Sequence, residues 1–103
     1  MLQSGENELW LSPISTWEAL TLNAKGRIRL HEDPAVWVSS ATANTREAPL
    51  THDIVLAAQQ LSWAHRDPAD RFLAATAQVL GLTLVTADER LLALKDIATL
   101  ANR

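Results

Sequence analysis

Short apolar runs alternate with stretches whose apolar positions recur at helical spacing. Residues 8–12, ELWLS, form a brief apolar run closed by Pro13 and read as a strand. Ser15 then opens a helix reaching about Lys25. Trp17, Leu20 and Ala24 recur at helical spacing, Lys25 suits the final turn, and Gly26 suits the stop. Residues 27–33, RIRLHED, are a polar connection. Pro34 starts a further helix to about Asn44, although its Val, Ser and Thr content makes it a weak former. An extended piece over 46–50 leads to Thr51, which caps a helix with Ile54, Ala57, Ala58 and Leu61 on one face and Asp53 in its first turn. Asp67 and Pro68 open the next helix, with Leu73, Ala77 and Leu80 inward and Gly81 at its end. Residues 82–86, LTLVT, are the clearest strand; a helix at about 89–95 and a short strand at 97–100 complete the chain.

Strands separated by helices predict an α/β domain with a mainly parallel sheet, a single domain over 1–103. In open sheets of that kind, sites form beyond the carboxyl ends of the strands.

Composition narrows the function classes. The chain has 103 residues, is 48% hydrophobic and 20% charged, and so supports one core and no disordered character. A net charge of −3 argues against a surface that grips nucleic acid all over, but leaves room for an acidic site that meets phosphates through cations. With no cysteine there is no disulfide framework and no thiolate chemistry, which fits a reducing, cytoplasmic setting. No apolar run approaches a membrane span, and the N-terminus lacks the pattern of a secretory signal.

Three acids stand at helix starts: Glu18 in SPISTWEAL, Asp70 in HRDPADRFLAATA and Asp88 in VTADER. Taken singly, each has a capping account. Ser15 and Glu18 have the spacing of a capping box, Asp67 is an N-cap followed by an acid the helix dipole favours, and Thr86 and Glu89 are again box-like. Taken together, helices that begin at one sheet edge bring these carboxylates close, and like charges at low dielectric call for a cation. All-oxygen ligands suit Mg²⁺ or Mn²⁺ rather than zinc. The histidines, at 31, 52 and 65, are scattered, and the three glycines make no phosphate loop.

The ordered set SPISTWEAL, KGRIRL, HRDPADRFLAATA and LTLVTADER resembles a PIN domain of the VapC toxin subgroup, across nearly all of the chain. The resemblance implies a three-layer α/β nuclease fold that holds Mg²⁺ or Mn²⁺ on a few acids and cuts RNA. It implies metal-holding, catalytic roles for Glu18 (the acid of the W-E motif), Asp70 (the acid of the alanine-rich helix) and Asp88 (the acid of T-A-D). Thr86 matches the hydroxyl that orients a carboxylate. Asp67 is read chiefly as a cap. The partners implied are an RNA substrate, a cognate VapB-like antitoxin and a second copy of the chain.

The resemblance also exposes a departure. The family begins with an apolar central strand ending in an Asp ligand, and nothing of that kind precedes ELWLS. MLQSGENELW matches the end of the family's second helix running into its second strand. The expectation is a sheet without its central strand, with the gap closed by direct pairing of the flanking strands or by another chain, or else a misassigned start. Two other function classes stay open beside the nuclease: an inactive remnant that binds an antitoxin, and a plain interaction domain whose acids are only caps.

Trp17 and Trp63 fall on apolar helix faces and are assigned to the core. Lys25, Arg27 and Arg29 read as a solvated basic turn, with phosphate contact as the alternative. Arg66 and Arg71 flank the candidate site and either pair with its acids or touch substrate. His65 reads as a surface residue.

Overall fold

The computed structural model describes residues 1–6, 8–61, 67–86 and 99–101. Among the described residues the elements in order are β1 (Leu2–Gln3), β2 (Leu9–Leu11), α1 (Pro13–Ala24), α2 (Pro34–Ala43), β3 (Arg46–Glu47), α3 (His52–Gln60), α4 (Pro68–Leu80), β4 (Thr83–Thr86) and β5 (Thr99–Ala101). The expected helix at 89–95 lies outside the described residues.

The strands form one sheet in the order β3-β2-β1-β4-β5. Both flanks are parallel, as expected: β2 with β3, and β4 with β5. The centre is antiparallel. Leu2 sits opposite Trp10 on one side and Leu84 on the other, and Gln3 opposite Leu9 and Thr83. The sheet is therefore mixed, with β1, residues 2 and 3, as its central strand. A tight turn makes this feasible, because antiparallel neighbours need only a short loop whereas parallel ones need a long crossover. Ser4 N–H donates to Glu8 O at 2.9 Å, and Ser4 Oγ accepts from Glu8 N–H at 3.2 Å.

α4 is the helix around which the molecule packs. It contacts α1, α3 and β4, and all five residues from Leu73 to Ala77 are buried. The small side chains of Ala74, Ala75 and Ala77 let neighbours approach it on several sides. Leu2, Leu82 and Leu84 close one cluster against it, with Ile14 packed alongside, and Ile54 and Ala58 of α3 close another. The inward face expected of α3 is the observed one. Leu80 departs from its expected inward position and is exposed, because Gly81 at φ 66° turns the chain and Leu82 takes the buried place instead.

α1 corrects two expectations. Its cap is Ser12, not Ser15: Ser12 Oγ accepts from Ile14 N–H at 3.1 Å, and Pro13 occupies the first helical position. Proline is pre-organised for that position and lacks the N–H that would go unbonded there, so the Ser12-Pro13 pair sets the start. Trp17 is 63% exposed rather than in the core. The pattern on this helix is ambiguous, since apolar residues occur on more than one side of it. Ile14 packs on the core cluster, whereas Trp17, although only one turn on, is left in solvent at the margin of that contact. Trp63 lies outside the described residues.

On the sheet's far flank, the Arg46 guanidinium stacks 5.8 Å from the Trp10 ring centroid and pairs with Glu8 at 2.8 Å. Among the described residues, no helix is long and apolar enough to cross a membrane.

Candidate metal centre

The topology places two helix starts at one edge. α1 leaves the carboxyl end of β2 through Ser12. α4 returns its C-terminus to the start of β4 through Gly81, so its N-terminus lies toward the carboxyl end of β4. That edge is where parallel strands end and where open α/β sheets build their sites. Thr86 is the last residue of β4 there.

Glu18 is the sixth residue of α1 counted from Pro13, too far in to act as a cap. The capping box with Ser15 does not form, and the bland account of this acid goes with it. Glu18 lies one turn beyond Ile14, which packs on the core against α4. Its side chain is partly buried, and its carboxyl pKa is raised above the ordinary value. Burial is the larger cause; the negative charges of Asp70 and then Asp67 add to it. Glu18 on one helix thus shares an electrostatic field with the acids at the start of another.

At the start of α4 the two acids have different work. Asp67 is the cap, its Oδ1 accepting from Ala69 N–H at 3.0 Å, with Pro68 at the first helical position. Asp70 lies in the first turn of α4. It is half-buried and engaged with other groups.

Arg71 has a structural role besides the two weighed for it. Its guanidinium donates to Ala58 O at 2.6 Å (Nη2) and 3.1 Å (Nε), and to Leu61 O at 3.3 Å. These carbonyls end α3, where a cation offsets the negative pole of the helix. Arg71 therefore ties α3 to α4 and supports the site from behind. Sequence reasoning missed this role because nothing in the spacing reports which carbonyls lie within reach of an arginine.

The antiparallel direction of β1 carries Met1 toward the same edge of the sheet, beyond the row formed by Trp10, Leu2 and Leu84. Burial lowers the pKa of its amino group. Asp88, Arg66 and His65 lie outside the described residues. Among the described residues, no three His, Cys, Asp or Glu side chains come together as a metal-holding group.

The donor chemistry nevertheless fits a hard cation. Mg²⁺ keeps several waters and is commonly bound by one or two carboxylates, and Glu18 and Asp70, on separate helices, are acids of that type. The negative charges of Asp70 and Asp67, which add to burial in raising the Glu18 pKa, are of the kind a divalent ion would offset.

No curated protein matches the chain. The family model for the PIN domain matches residues 2–98 of the 103. This covers every element from β1 to β4, including both helix starts that carry Glu18 and Asp70. The chain belongs to the PIN domain family, a nuclease superfamily whose members generally use divalent metal ions.

Proposed function

We propose that this chain is a metal-dependent endoribonuclease of the VapC type, the toxin of a toxin–antitoxin pair. The observation that carries the reading is the coupling of Glu18 to Asp70, two acids on different helices at one edge of the sheet. Asp88, two residues beyond Thr86 in sequence, completes the proposed set. The order of the motifs supports the VapC subgroup, and that subgroup brings with it a VapB-like antitoxin, a second copy of the chain and a cytoplasmic RNA target.

Glu18, Asp70 and Asp88 would hold Mg²⁺ or Mn²⁺. When bound, such an ion makes water a stronger nucleophile at neutral pH and offsets charge on the phosphate being cut. The chain's own contribution is positional. Asp67 and Pro68 fix where α4 begins, and so where Asp70 stands. Ser12 and Pro13 do the same for α1 and Glu18. Arg71 locks α3 against α4 behind them. Without metal, burial and the neighbouring charges of Asp70 and Asp67 raise the Glu18 pKa; a bound cation would offset that and hold the carboxylate ionised.

One observation favours a second reading. The central strand presents Leu2 and Gln3, and neither supplies a carboxylate. A PIN-derived binding module without catalysis, one that engages an antitoxin, is consistent with that strand. A cleavage assay separates the two. The chain is incubated with single-stranded RNA in Mn²⁺, beside Asp70→Asn and Glu18→Gln. The nuclease reading expects cleavage by the natural sequence and a loss of about 100-fold or more in each variant, at least what disturbing a metal's supporting shell costs. Equal background in all three would leave the binding module.

A further inference from the structure

Three of the nine basic residues, Lys25, Arg27 and Arg29, fall within five positions that contain no acid, in a chain of net charge −3. The turn that carries them is fixed by its backbone. Gly26 takes φ 73°, its N–H donates to Asn23 O at 3.0 Å, and Arg27 N–H donates to Leu22 O at 2.9 Å. This double closure is the glycine-centred end of a helix. Asn23 Oδ1 then accepts from Leu30 N–H at 3.2 Å and pins the far side of the turn. All three cations are exposed, and among the described residues none makes a hydrogen bond or ion pair through its side chain. Asn23, Gly26, Arg27, Ile28 and Arg29 line an open hollow of about 430 Å³.

Like charges held this close repel one another, and a polyanion relieves them. The turn is also placed relative to the acids. Lys25 follows Glu18 by seven residues, two turns along α1 or about 10 Å of helix.

We propose that the turn at residues 25–29 is a phosphate-contact site for the RNA strand, two helical turns from Glu18; this rests on the nuclease reading above. The guanidinium groups of Arg27 and Arg29 match phosphate oxygens in pairs, and Lys25 adds a point charge. Contacts of this kind position a strand and carry no base information, so the site acts on RNA of any sequence.

The test measures binding without cleavage. Fluorescence anisotropy of a labelled single-stranded RNA of mixed sequence is followed in EDTA across a salt series. The natural chain is compared with a Lys25→Ala, Arg27→Ala, Arg29→Ala triple variant, whose fold is checked by its melting curve. The site predicts that the slope of log affinity against log salt becomes shallower by about 2, three contacts at about 0.7 each for a single strand. An unchanged slope overturns the proposal, as does a natural chain that binds no RNA. Tighter binding of poly-glutamate than of RNA by the same three residues would assign the turn to an acidic protein and overturn it too. Cleavage in Mg²⁺ is scored separately. A changed slope without cleavage keeps the contact and removes the nuclease reading; cleavage with an unchanged slope does the reverse.

Discussion

At the scale of single residues, Glu18 decides between the two accounts of the acids. A capping glutamate is stabilised by its cap and has a lowered pKa; Glu18 has a raised one, from burial and from Asp70 and Asp67. The sign of its pH dependence follows. The folded chain binds this proton more tightly than the unfolded chain, so the fold loses stability as pH rises from the ordinary glutamate value, about 4.3, through the raised one. Glu18→Gln removes that loss. Its melting temperature should match or exceed that of the natural sequence at pH 7 without metal, and the difference should vanish below about pH 4. A clear destabilisation at pH 7 would return Glu18 to a structural role. Asp67 and Asp70 were separable by sequence because Pro68 marks the helix start between them. Glu18 was not, because Ser15 lies at cap spacing from it and Ser12 competes for the same role.

At the scale of elements, the start of α1 sets where Glu18 points. Ser12→Ala should cost about 1 kcal/mol, the usual value of a lost N-cap, whereas Ser15→Ala should cost well under that. Urea unfolding of the two variants checks this; the reverse order would restore the capping box. The other helix starts were legible because each carries a strong local signal: Pro34, Thr51, and Asp67 with Pro68; the cap before Pro34, Asp33, was read as part of the connection. Inward faces were legible where the apolar stripe is narrow, as in α3, where Ile54 and Ala58 are fully buried. They were not legible in α1, whose helix buries no residue completely and leaves Trp17 in solvent. A periodic pattern reports a face only when the neighbours that cover it are extensive.

At the scale of the molecule, the sheet holds together through a strand of two residues. Leu2 is 1% exposed and packs in the main cluster with Leu73, Leu82 and Leu84. Leu2→Ala should therefore cost about 3 kcal/mol, as for other buried leucines, and should speed amide exchange in both β2 and β4. A loss below about 1 kcal/mol would show that β1 is not what joins the two halves. This strand was invisible to sequence reasoning for a physical reason. Two residues carry no period, and MLQ has no alternation to set it apart from a loop. The α/β class, by contrast, was written in the order of apolar runs and helical stretches, and both parallel flanks came out as that order required.

Glu18 and Asp70 are proposed to belong to one divalent-cation site. Mn²⁺ binding followed by its electron paramagnetic resonance signal tests that directly, at pH 7 and without RNA. The account predicts saturable binding by the natural chain. It predicts weakening of at least about tenfold both in Glu18→Gln and in Asp70→Asn, the range seen when a metal's surroundings are altered. Asp53→Asn, a first-turn acid on α3, should bind as the natural sequence does. Unchanged Mn²⁺ affinity in both site variants, or equal weakening in all three, would contradict it.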